Sequence, residues 1–143
     1  MRKLHRTLAT SLAPVLLAGF SIAVAAPAAH ATDYSGYQIG QLQSLCLAQG
    51  EEIGPDGTQF GYIPSTQVEY GSTGVCVAAV QAIIDAGSSW CATGKGTQSS
   101  ELAWDGQDGP LTDAAVRCVQ QLRKLDVDGQ VGPQTWTAIW HSY

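Results

Sequence analysis

Apolar positions fall into two kinds of run along this chain. The first is uninterrupted: "LAPVLLAGFSIAVAA" at residues 12–26, preceded by the basic start "MRKLHRTLATS". The second kind follows helical spacing, with apolar residues three and four apart. Ile39, Leu42, Leu45 and Cys46 predict a short helix that stops at Gly50. Val77, Val80, Ile83 and Ile84 predict a second, capped by Ser72 or Thr73 and ended by Gly87. Ala115, Cys118, Val119 and Leu122 share the face of a third, and Trp136, Ile139 and Trp140 that of a fourth. Between them, residues 51–67 are turn-rich and read as an irregular loop. Residues 92–101 are a loop of small residues, followed by a short apolar step at Leu102–Trp104.

The last two helices open on the same phrase. "DGQDGPLTDAAV" begins at Asp105 and "DGQVGPQTWTAI" at Asp128, with seven of twelve positions identical. Asp-Gly suits a tight turn, because Gly accepts positive φ and Asp caps its own backbone. Gly-Pro then starts a helix, where the missing proline N–H costs nothing. Thr112 and Thr135 are placed to satisfy a free group of the first helical turn. The phrase is a turn-plus-helix cassette used twice around one core. A fainter echo, "IGQLQSLC" against "VAAVQAII", fits either a decayed half-repeat or any two amphipathic helices.

The uninterrupted run is short for a membrane span and ends in Ala29-His30-Ala31, a small-x-small processing pattern. Residues 1–31 are therefore expected to be a cleaved export signal. The remaining bases, Lys95, Arg117, Arg123 and Lys124, face all 12 acids of the chain, a net charge of −8. That balance argues against nucleic acid and anionic membrane surfaces as partners. Cys46, Cys76, Cys91 and Cys118 all lie after the signal. An even count in a short exported chain reads as two disulfides. The gaps lack the paired C-x₂₋₄-C spacing of zinc sites. Three pairings exist; helix positions favour Cys76–Cys118 with Cys46–Cys91.

The motifs from Gly71-Ser72-Thr73-Gly74, through Val77, Val80 and Gln81, Asp105 to Thr112, and Ala115-Val116 with Val119-Gln120, to Val127–Trp136 resemble the three-helix peptidoglycan-binding domain of bacterial wall enzymes. The resemblance covers about Glu69–Trp140. It implies a mostly α fold: a small three-helix domain at 68–143, disulfide-stapled, with an N-terminal helix and loop extension at 32–67. Two positions depart from the family pattern. Asp108 and Val119 stand where it has aromatics, so Trp90, Trp104 or a disulfide is expected to compensate in the core. The stretch from Asp85 through Glu101 is also longer than the family's usual link.

The residues after the signal include one histidine, His141, and no nucleophile motif, which disfavours metal hydrolysis and triad chemistry. Most carboxylates sit in Asp-Gly turns or loops; Glu101, beside Leu102–Trp104, is the least expected on backbone grounds. Binding fits better, because sugars and stem peptides are gripped by aromatic faces, amides and hydroxyls. The candidate ligand residues are Trp104, Gln107, Arg117, Gln121, Gln130 and Tyr62; Trp136 and Trp140 are read as core. The expected function is a secreted, non-catalytic wall-binding module that needs no cofactor. Its partner would be the glycan or stem peptide of peptidoglycan, and a separate wall hydrolase is a second candidate partner. The alternatives are a small wall hydrolase using a carboxylate pair that includes Glu101, and a protein-interaction module that kept the fold and lost glycan binding. Intact-mass analysis of the exported protein should give Thr32 as first residue, with four hydrogens missing from the cysteines.

Overall fold

The computed structural model describes residues 32–55, 61–92 and 102–140. The expected export signal at residues 1–31, Glu101 and His141 lie outside the described residues. Among these residues the elements run α1 (Ile39–Leu47), β1 (Glu51–Ile53), β2 (Tyr62–Pro64), α2 (Val75–Gly87), α3 (Ser89–Ala92), α4 (Pro110–Leu122) and α5 (Pro133–Trp140). The fold is mostly helical. Helices α2, α4 and α5 are the three of the expected domain, α1 is the extension helix, and α3 is a single turn after α2.

Helix α2 is the centre of the core. Every residue from Cys76 to Ile84 on it is buried, so it is enclosed by neighbours on all sides rather than along one stripe. Leu42 and Cys46 of α1 bury against it, as do Ala115, Val116 and Val119 of α4. Trp136 and Trp140 of α5 meet edge to face at 5.3 Å, and the Trp136 indole N–H donates to the Thr66 carbonyl at 2.8 Å. Both tryptophans are core residues, as their spacing predicts.

Several details differ from the sequence reading. Residues 51–67 contain a two-stranded antiparallel hairpin, Glu52 opposite Ile63, with Ile63 fully buried. Glu-Glu-Ile is too short to show alternation, and three residues suffice for the strand. Helix α2 is capped by Gly74, not by Ser72 or Thr73. The Ser72 hydroxyl instead accepts the Glu69 N–H at 3.0 Å, closing the preceding turn. Leu122 is exposed, because α4 has passed the core by its last turn. Trp90 is 67 % exposed and fills no core space.

The favoured disulfide pairing is also corrected. The bonds are Cys46–Cys76 and Cys91–Cys118. Cys76 and Cys118 both face inward-lying helices, but each meets a closer neighbour. Cys46 leaves the buried face of α1 directly onto the first turn of α2, and Cys91 on α3 lies against α4. Each bond thus fastens an added segment to the three-helix frame. Non-reducing peptide mapping should recover Cys46–Cys76 and Cys91–Cys118 peptides only. Replacing the first pair by alanines should cost about 2–4 kcal/mol in denaturant unfolding.

Candidate functional site

The two cassettes fold around two buried glutamines. Gln81 of α2 is 1 % exposed, and its Nε2 donates to Asp105 Oδ1 at 2.8 Å, the Gln107 carbonyl at 3.1 Å and Thr112 Oγ1 at 3.0 Å. Its Oε1 accepts the Gly106 N–H at 2.9 Å. Gln120 of α4 repeats the pattern: Nε2 to Asp128 Oδ1 at 2.8 Å, the Gln130 carbonyl at 2.9 Å and Thr135 Oγ1 at 3.2 Å, and Oε1 from the Gly129 N–H at 2.9 Å. The threonine hydroxyls therefore face back to the turn, donating to the Gln107 and Gln130 carbonyls, rather than capping their own helices. Each helix reads the turn that follows it, and the turn aims the next helix.

The Asp-Gly step needs glycine in both copies. Gly106 and Gly129 have φ of +66° and +77°, and each is covered by a side chain. A Cβ on Gly106 would meet the Tyr34 ring, and one on Gly129 would meet Asp113 and Arg117. The carbonyl just before each Asp is taken from the same side. The Tyr34 N–H donates to Trp104 O at 2.9 Å, and Arg117 Nη1 to Val127 O at 3.2 Å. Arg117 also pairs with Asp113 at 2.9 Å. The extension thus does for the first turn what Arg117 does for the second. Asp128 is held below the usual carboxylate range, chiefly by the Gln130 N–H and then by the Gln120 amide.

The copies differ at the fourth cassette position. Val131 is fully buried and forms a backbone bridge with Val68. Asp108 is 2 % exposed, and neither of its carboxyl oxygens has a hydrogen-bond partner. Burial, reinforced by the negative charge of Asp113, pushes its pKa up to about 6. Its backbone is well held, with N–H to Ser72 O at 2.9 Å and C=O from Gly71 N at 2.8 Å. The side chain therefore occupies an aromatic's position without an aromatic's packing.

Beside the second cassette lies an open cleft of about 420 Å³. The turn and the start of α5 form one wall, with Gln130, Pro133, Gln134 and Thr135. Leu125, Asp126, Pro55 and Gln67 also line the cleft. Of the six ligand residues expected from the sequence, only Gln130 lines this cleft. Trp104 is half-buried and lines a smaller one of about 330 Å³ with Ser35 and Asp85. Tyr62 is exposed on β2, and Gln107 and Gln121 are exposed on the first turn and on α4. Arg117 is engaged with Asp113 and Val127. The sequence reading missed the role of Gln120, although it stands four residues after Val116 on the buried stripe of α4. A glutamine on an apolar stripe signals a buried amide with fixed partners. Gln67 and Pro55 carry no such signal, because the fold alone brings them to the cleft. Among the described residues no cluster of three or more His, Cys, Asp or Glu is placed to hold a metal, and no helix is long and apolar enough to cross a membrane.

A helical frame aimed by two glutamine-clamped Asp-Gly turns defines the class of this domain. Residues 96–139 match the family described as "Putative peptidoglycan binding domain". Among solved structures, a peptidoglycan-binding protein from Clostridioides difficile, in complex with glutamine hydroxamate, is similar at 24 % identity and a TM-score of 0.43, over 55 % of this chain and 43 % of that one. The Burkholderia AP3 phage endolysin is similar at 24 % identity and a TM-score of 0.43, over 55 % of this chain and 26 % of its own. The match thus spans less than half of either solved chain. No curated protein matches the sequence.

Two outcomes follow from the buried amide and the buried acid. Gln120→Met keeps the volume and strips the second turn of its partners; it should lower the free energy of unfolding by ~3 kcal/mol. Asp108 has a folded pKa above its unfolded value, so the folded state binds the extra proton. Its penalty is full above about pH 6 and is relieved as the pH falls towards 3.8. Asp108→Asn should therefore stabilise the chain at pH 7.5, by an amount on the order of 1–3 kcal/mol. That gain should shrink as denaturant melts are repeated down to pH 4.5.

Proposed function

We propose that the protein is an exported, non-catalytic module that binds peptidoglycan through the cleft beside the second cassette. The observation that carries this reading is the family match over residues 96–139, which takes in the cassette and most of the residues lining that cleft. The chemistry of the cleft supports it. Amides from Gln67, Gln130 and Gln134, a threonine and the apolar faces of Pro55 and Pro133 suit a polar, largely uncharged ligand. A separate wall hydrolase remains the second candidate partner, outside this cleft.

The hydrolase alternative rests on Glu101, which lies outside the described residues. Among the described residues, the carboxyl with a pKa raised towards neutrality is Asp108, which is sealed from solvent and has no access to a substrate. The protein-interaction alternative takes its hint from Asp108, which stands where the family pattern has an aromatic and is buried here.

Purified protein should co-sediment with insoluble peptidoglycan at neutral pH, with affinity in the micromolar to sub-millimolar range. The chain's negative charge opposes that of the wall, so moderate salt should leave binding intact or raise it slightly. Wall turbidity should stay constant. Clearing of the suspension would establish the hydrolase reading, and absence of both sedimentation and clearing would leave the protein-interaction reading.

A further inference from the structure

The lining of the cleft has two origins. Gln130 belongs to the family-matched stretch, while Gln67 and Pro55 precede it. Gln67 Nε2 donates to Gln130 Oε1, and both residues are exposed. Behind that bond the backbone is fixed. Val68 and Val131 exchange both hydrogen bonds, at 3.3 and 2.7 Å, so the two glutamines, one residue before each, are held diagonally across that antiparallel pair.

An exposed amide–amide bond is easily exchanged for water and contributes little to folding. It is, however, an ordered donor facing an ordered acceptor within the lining of the cleft. A trans secondary amide carries its C=O and N–H on opposite sides. Inserted between the two glutamines, it would accept from Gln67 Nε2 and donate to Gln130 Oε1, replacing one bond by two. The charge around the cleft limits the choice further. Asp126 and Asp128 line it, and no Lys, Arg or His does so among the described residues. Carboxylate groups of a ligand are repelled there, and a neutral group is not. Leu125, Pro55 and Pro133 offer apolar surface for a small alkyl substituent beside the amide.

We infer that the cleft recognises a neutral secondary amide, read by the Gln67 amide as donor and the Gln130 amide as acceptor. This rests on the proposed peptidoglycan-binding function and names the group that is bound. Two sources carry that chemistry: acetamido groups on the glycan and peptide bonds of the stem.

Side-chain amide signals in ¹H–¹⁵N spectra of the disulfide-bonded protein distinguish them. The probes are N-acetylglucosamine trisaccharide, cellotriose as its counterpart without acetamide, and a stem tetrapeptide amidated at its C-terminus. The Gln67 and Gln130 side-chain signals should shift with the acetylated trisaccharide or with the peptide, which identifies the source, and should stay in place with cellotriose. Gln67→Leu and Gln130→Leu should each reduce peptidoglycan sedimentation at least tenfold. The Val68 and Val131 backbone signals should be retained, since the fold does not depend on either side chain. If both leucine variants sediment like the parent and neither amide responds to any probe, the inference fails and the binding function stands. If the parent protein neither sediments nor responds, both fall.

Discussion

A primary amide buried in a protein core has to find partners for both N–H groups and for its oxygen, or the fold forfeits several kcal/mol. Gln81 and Gln120 meet that demand in the same way. Two N–H bonds are shared among a carboxylate, a carbonyl and a hydroxyl, and the oxygen holds the glycine N–H at the tip of the turn. No other arrangement of the following residues supplies that set. The turn must be Asp-Gly, the carbonyl must lie two residues after the Asp, and the threonine must sit seven residues after it. The repeated phrase in the sequence is the imprint of this requirement. The direction of α4 and α5 follows from it, and so does the position of the cleft beside the second turn.

Much of this was legible beforehand. The helices are marked by apolar spacing, and the starts of α4 and α5 by Gly-Pro, because both signals are local. The cassette was legible as a repeat, but its partner was not, since Gln81 lies 24 residues before Asp105. Sequence spacing alone does not join them. The disulfide pairing failed for a related reason. Knowing that Cys76 and Cys118 lie on packed helices does not tell which third element reaches each sulfur first. The cleft shows the same limit. Chemical type points to Trp104, Arg117 and Tyr62 in the sequence, whereas Gln67 and Gln130 meet only once Val68 pairs with Val131.

The segments added to the three-helix frame are not passive. Tyr34 covers the first turn in the place that Arg117 takes over the second, and it supplies the equivalent donor, from Tyr34 N to Trp104 O. The stretch around Gln67 walls the cleft. Each added segment is bonded through sulfur to a frame helix, Cys46 to α2 and Cys91 to α4. Asp108 is the exception to this economy of fit. It fills a buried position with a group that burial itself holds towards its neutral form.

The two glutamine clamps are chemically alike, but they close loops of very different length: 24 residues separate Gln81 from Asp105, and 8 separate Gln120 from Asp128. For a flexible chain the threefold longer loop costs about 1 kcal/mol more in closure entropy. The second clamp is therefore the local one, within reach of a nascent chain before the core exists, and α4 and α5 can be set at their angle early. The first clamp spans from α2 to the turn at Asp105, and its closure is offset by the packing of the core between them. The symmetry visible in the finished fold thus joins one local clamp to one long-range clamp of the same chemistry.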